Sequence, residues 1–175
     1  MRNNHFSSWK IVIMGLLIGL LTACSTTKTN SRHPLIQPTS SAATSEYAKV
    51  YFIRPNTEHM QGFPDNPLKV FLNDTLLLEL GKGEYTLIYL KPGKGTLTLE
   101  NLTQIRGRWE VEPMRRTRNF DFHSDQTYFL VTRPIDGEFR GVHFMPELVP
   151  QTEAQTISQH LRATGQASQH PLKGL

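Results

Sequence analysis

Short runs in which apolar and polar residues alternate, each closed by turn-forming residues, constrain this chain more than any other pattern. They cover residues 49–54, 68–72, 75–80, 84–90 and 96–102 and are rich in β-branched and aromatic side chains. A period of two puts every second side chain on one face, as a half-buried strand requires. Asn73-Asp74 suits a two-residue hairpin loop, because both residues tolerate positive φ. Gly81-Lys82-Gly83 reads as a flexible turn, and Pro92-Gly93 as a type II turn in which Pro presets φ. Further strands are predicted over 108–111, 118–123, 127–133 and 140–145. In the second of these, Phe120 and Phe122 share a face opposite Asn119, Asp121 and His123. Strands this short, at this spacing, predict an all-β fold: two antiparallel sheets packed as a β-sandwich.

One helix is expected at the C-terminal side. Thr152 and Gln155 have the spacing of a capping box, Ala154, Ile157 and Leu161 fall on one face, and Gly165 supplies a stop. So narrow a stripe predicts a seat on a sheet edge or end. Residues 166–175 read as a frayed, disordered tail. No repeat of 20 to 50 residues is present.

The N-terminus follows a different logic. Residues 11–21 form an apolar run preceded by Arg2 and Lys10 and followed by Leu21-Thr22-Ala23-Cys24. The run falls short of the ~20 apolar residues needed to span a membrane. A charged start, a short apolar core and a small-residue cleavage site describe an export signal instead. The Leu-Thr-Ala-Cys stretch resembles the lipobox of bacterial lipoproteins, in which the signal is cut before the cysteine and that cysteine is acylated. Cys24 is the single cysteine of the chain, so it has no intramolecular disulfide partner. An ordinary secretory signal would leave its thiol unpaired in an oxidising compartment.

The resemblance implies a membrane partner reached through lipidated Cys24. One acyl chain binds only marginally, and the two or three carried by such lipoproteins make release slow. It also implies that Ser25, at the sorting position, permits transfer to the outer membrane of a Gram-negative host, where Asp would retain the protein at the inner one. The expected address is therefore the cell envelope, outer membrane, with the domain facing the periplasm. Organisation follows: 1–23 signal peptide, 24–45 tether, 46–165 sandwich with its helix, 166–175 tail. The tether is Ser/Thr/Pro-rich and too polar to offset its ordering entropy, and its reach is roughly 25 Å. Loss of Arg2 and Lys10 with the signal removes two of the 19 basic residues set against 15 acidic ones. The remaining excess gives no argument for nucleic acid, which is not expected as a partner.

Within the domain, Val50-Tyr51-Phe52-Ile53-Arg54-Pro55, Val70-Phe71-Leu72-Asn73-Asp74, Gly83-Glu84-Tyr85, Pro92-Gly93-Lys94-Gly95 and Gln126-Thr127-Tyr128 resemble a family of uncharacterised proteobacterial lipoproteins. The likeness covers roughly residues 48–162, and this chain departs from it in the arginine-rich stretch 104–118. The family implies a small sandwich of transthyretin-like or immunoglobulin-like kind with a short closing helix, and it brings no catalytic residues.

Catalytic chemistry is scarce. No Gly-x-Ser-x-Gly elbow or phosphate-binding glycine loop occurs. His123-Ser124-Asp125 has the letters of a triad, but strand neighbours point to alternate faces. The histidines, His143 among them, lack metal-ligand spacing, so neither a metal nor a cofactor is expected. Glu110 and Glu112 read as solvated edge charges rather than a glycosidase pair. One cluster stands out as a candidate anionic-ligand surface: Arg106, Arg108, Trp109, Arg115, Arg116 and Arg118. Guanidinium forks bind two oxygens at once, and would suit lipopolysaccharide, phospholipid heads, peptidoglycan stems or an acidic envelope protein. The alternative is a solvated hairpin whose arginines pair with nearby carboxylates. The function expected from these features is a non-enzymatic binding domain, or else an assembly subunit of an envelope complex. A cell-wall hydrolase is the least favoured reading.

Overall fold

The computed structural model describes residues 46–56, 66–104, 110–136 and 141–172. The expectations for Cys24, Ser25 and the tether, and for Arg106, Arg108 and Trp109, lie outside these residues. Nine strands and a helix follow in order: β1 (Ala48–Arg54), β2 (Leu68–Leu72), β3 (Thr75–Leu80), β4 (Glu84–Leu90), β5 (Gly93–Gln104), β6 (Val111–Phe122), β7 (Thr127–Asp136), β8 (Val142–Leu148), α1 (Gln151–Ser158) and β9 (Arg162–Gly165). They form an all-β sandwich with one C-terminal helix. One sheet has the order β8-β7-β1-β4-β9 and the other β3-β2-β5-β6.

The predicted alternation fills the space between the sheets. Val50, Phe52, Leu130 and Phe144 of the five-stranded sheet meet Leu68, Val70, Leu97, Leu99 and Phe122 of the four-stranded one. Phe122 is 1% exposed and stands edge-on to Tyr128, with ring centroids 5.2 Å apart. Asn73 and Asp74 both adopt positive φ, 48° and 63°, and close the β2–β3 hairpin as expected. Pro92-Gly93 does not make a hairpin turn. It is the corner at which the chain crosses from one sheet to the other, with Gly93 at φ 137°.

Only one sheet is purely antiparallel. Between β4 and β7 the chain leaves for the second sheet and re-enters alongside β1 in the same direction, so β1 and β7 pair in parallel. Likewise β9 pairs in parallel with β4. In place of the two strands expected around residues 108–123, the described residues form a single strand, β6, paired with β5 along its whole length.

The C-terminal region departs further from expectation. The helix packs on the outer face of the five-stranded sheet, not at an edge or end: Ala154 and Ile157 join Ile53, Tyr85, Leu87, Phe129, Val131 and Val149 in a second core. It starts at Gln151 after Pro150 with no side-chain cap, which places Thr152 inside the first turn and leaves the capping box unformed. Leu161 and Gly165 lie beyond the end of the helix, and Gly165 closes β9 opposite Leu87. After it, where a frayed tail was expected, Gln166–Ser168 form a 3-10 turn whose Ala167 is fully buried, and the Tyr51 hydroxyl donates to the His170 carbonyl. The apolar outer face of β1, β4 and β7 has to be covered, and this short tail helps cover it. A truncated tail would expose that face. Salt bridges from Arg133 to Glu147 and Glu153 pin the start of the helix to the sheet.

The two ends of the sandwich differ. At the far end of β1, Arg54 is 1% exposed. Its Nη1 donates to the carbonyls of Asn66 at 2.7 Å and Leu80 at 2.8 Å, and its guanidinium lies 5.2 Å from the centroid of Phe144. Nearby, Asn101 Nδ2 donates to the Val142 carbonyl at 2.9 Å, and the Val142 N–H donates to Thr103 Oγ1 at 3.0 Å. Side chains of β5 thus take up backbone groups of β8, where sheet pairing ends. The near end holds Ala48, the β2–β3 turn and the β4–β5 corner; there the Tyr128 hydroxyl of β7 accepts from the His123 N–H at the end of β6, beside backbone bonds from Lys49 N–H to Gln126 O and Asp125 N–H to Tyr47 O.

Replacing Phe122 by Ala is expected to cost about 3 to 5 kcal/mol, since a fully buried ring leaves both its transfer energy and a void behind. Urea unfolding measures it. A loss below about 1 kcal/mol would place the ring at the surface and overturn the strand facing.

Candidate functional site

The arginine-rich segment is the site that sequence reasoning singled out, and strand geometry divides it. In β6, Arg115 lies opposite Glu100, Arg116 opposite Leu99 and Arg118 opposite Leu97. Residues directly opposite share a face. Leu97 and Leu99 are core residues, so Arg116 and Arg118 lie on the inner side and Arg115 on the outer side. The three do not form one anion-binding surface, because strand neighbours alternate across the sheet.

Arg115 and Arg118 each have protein partners. Arg115 Nε donates to Glu100 Oε2 at 2.6 Å, Lys69 Nζ reaches the other carboxylate oxygen at 3.3 Å, and the Arg115 guanidinium sits 5.4 Å from the Phe71 ring. This network lies on the outer face of the four-stranded sheet, beside the Thr98–Thr117 and Thr96–Asn119 hydrogen bonds. Arg118 Nη1 donates to the Pro146 carbonyl of β8 at 3.3 Å and packs on Phe120. Among the described residues β6 pairs only with β5, so it is an edge strand. Inward-pointing charge and a proline are the means by which such edges resist pairing with another chain. Arg116, Arg118 and Pro113 supply both. Arg115 thus pairs with Glu100 of β5 on the outer side, while Arg116 and Arg118 stand on the inner side of the edge strand.

The electrostatics agree with this division. Burial pushes the Glu100 carboxyl up, but the bonds from Arg115 and Lys69 outweigh it and hold it below its ordinary value. His143, buried at the start of β8, is held below its ordinary value by burial and by the charge of Arg116. Its Nδ1 has no hydrogen-bond partner among the described residues. The Asn101–Thr103–Val142 links form a polar joint between the sheets that sequence reading missed, since polar residues inside β runs carry no signal of what lies across the sandwich.

His123, Ser124 and Asp125 are all exposed in the turn between β6 and β7, where Asp125 takes φ 58°. The His123 N–H donates to the Tyr128 hydroxyl. Glu110 is exposed just before β6, and Glu112 lies on the side of Arg116 and Arg118. No three His, Cys, Asp or Glu side chains converge as metal ligands among the described residues.

Two surface features were not anticipated. Opposite Lys69–Leu72 of β2 lie only Leu97–Glu100 of β5, so the end of β5 and the beginning of β6 extend as an arm beyond β2. Its outer face carries Leu102, 43% exposed, and Val111, 40% exposed, with Pro113 between them. At the opposite, near end, a cleft of about 390 Å³ opens between the β2–β3 hairpin and the β4–β5 corner. Comparison with known proteins finds no family model that matches the chain and no curated protein that matches it.

Both titrating groups destabilise the domain in acid, in separate windows. His143 favours the fold above the ordinary histidine value of 6.5, and that contribution is lost as pH falls through its lower folded-state value. Glu100 contributes above 4.5 and loses its contribution below it. Unfolding free energy followed from pH 8 downward should fall first through the histidine window, and His143→Gln should flatten that limb alone. Glu100→Gln should flatten only the more acidic limb.

Proposed function

We propose that this is a lipid-anchored cell-envelope protein whose sandwich is a non-enzymatic interaction domain presented to a protein partner. The observation that carries the reading is the projecting β5–β6 arm, with Leu102, Pro113 and Val111 on a solvent-facing surface of a sheet otherwise satisfied by its own ion pairs. Isolated exposed apolar side chains are ordinary, but three neighbours on a projecting hairpin give an apolar contact point framed by polar residues.

The polarity of the domain supports the same reading. Ala48 starts β1 at the near end, directly after the tether, while Gln104 and Val111 mark the arm at the far end. A chain anchored through Cys24 would hold its near end toward the bilayer and carry the arm away from it. The edge strand β6 favours contact through side chains over strand addition, because Pro113 lacks an N–H and the buried-side arginines resist a neighbouring strand.

Three measurements test this. A labelled fatty acid should incorporate into the native protein, and Cys24→Ser should abolish it. Retained label, or an unanchored native protein, would refute the lipoprotein reading. Ser25→Asp should shift fractionation in a Gram-negative host from the outer toward the inner membrane. A photo-crosslinking residue at Leu102 or Val111 should yield one discrete protein adduct in the native envelope, and none at exposed Glu79. Equal capture at all three positions would remove the arm as the contact.

A further inference from the structure

The near-end cleft has a floor of Leu72, Leu77, Leu90 and Phe122, and Lys91 and Lys94 stand exposed at its rim. Its volume of about 390 Å³ lies within the range of small-molecule sites. Gly95 makes room for the Leu72 side chain in that floor, since a Cβ there would come within 2.6 Å of it. Among the described residues Lys91 and Lys94 are the only charged ones lining it, and neither makes an ion pair with another of them. Asp121 stands directly opposite Lys94 in the β5–β6 pair and lines the adjoining hollow, and Asp74 lies in the β2–β3 turn, so within the cleft itself the charge is that of the two lysines at the β4–β5 corner.

Position decides what such a cleft meets. Ala48 pairs with Leu90, so the chain enters the fold beside the rim, and residues 24–45 lead from there to Cys24. We infer that the cleft is a second membrane contact: it takes an acyl chain of an anionic phospholipid over its apolar floor, with the headgroup phosphate held by Lys91 and Lys94. This rests on the lipoprotein reading above. The anchor alone would fix no orientation of the domain at the bilayer, and a lysine-rimmed contact would orient it. Long lysine stems lie along apolar surface while their ammonium groups meet the phosphate, which suits both ends of such a lipid.

The test uses the full, lipidated protein carrying one environment-sensitive fluorophore. Thr75→Cys places it at the cleft and Asn56→Cys at the far end; both positions are exposed, and acylated Cys24 does not react. The protein is reconstituted in vesicles of phosphatidylcholine alone or mixed with phosphatidylglycerol, with bromine-bearing acyl chains as quencher. The Thr75 label should shift to the blue and be quenched in the mixed vesicles only, and added salt should reverse it, since exposed charges are screened beyond about 8 Å. The Asn56 label should respond in neither. Lys91→Glu with Lys94→Glu should reduce the quenching on the order of tenfold while the protein still floats with the vesicles. Equal response at both ends, an unchanged response in the double variant, or a Thr75 label already shielded in neutral vesicles, as when the preceding chain fills the cleft, overturns the inference. If the protein is not acylated and does not float, the anchor reading has failed. The chain with Cys24→Ser, labelled at Thr75→Cys, is then offered phosphatidylglycerol vesicles from solution: quenching at that label sustains the cleft, and none overturns it.

Discussion

A buried guanidinium holds the two sheets at one end, and much of the architecture is arranged around it. Arg54 is the last residue of β1, the central strand of the five-stranded sheet, and it donates to the carbonyl of Leu80, the last residue of β3 in the other sheet. A charge taken out of water is costly unless its hydrogen bonds are replaced, and carbonyl acceptors with an aromatic face supply some of that replacement. Phe144 supplies the face from β8, so three strands of two sheets must be in register before the group is satisfied. Apolar packing between sheets is tolerant of small slips. A guanidinium with directed acceptors is not, and it sets the sheets' relative placement.

The five-stranded sheet is the true centre of the molecule. Its inner face packs on the second sheet and its outer face on α1 and the C-terminal turn, so β1 is apolar on both sides. Strands buried on both faces lose clean alternation, and the burial of Phe52, Ile53 and Arg54 in succession shows it. The second sheet, by contrast, keeps one wet face, where charge pairs and threonine ladders replace a covering layer.

Strands and hairpin turns were legible because their signals are local. Asn73-Asp74 could be assigned from two residues, and Phe122 from its own strand. The last strand of the five-stranded sheet was not, because Arg162–Gly165 has no alternation of its own and becomes a strand only where β4 offers an edge. The arginine cluster misled for a related reason. Sequence proximity suggested a patch, whereas alternation sends Arg115 to one side and Arg116 and Arg118 to the other. The cleft was invisible for the opposite reason: Leu72, Leu90 and Phe122 fall at the ends of three separate predicted strands, and Lys91 and Lys94 flank Pro92-Gly93. Only the crossing of the chain between sheets brings them to one mouth.

The parallel pairing of β1 with β7 sets the order in which the domain can assemble. Lys49 and Thr127 are partners, although most of the domain lies between them. Hairpins such as β2–β3 and β5–β6 close short loops and form early, but the central strand of the larger sheet must wait for the chain's second half. Until then β1 presents one unpaired edge and two apolar faces, the state most exposed to wrong association. β9 extends that wait almost to the C-terminus, since it closes the β4 edge. A chain released before Arg162 would therefore hold a finished small sheet beside an unfinished large one, and its hazard would be aggregation rather than a mere loss of stability.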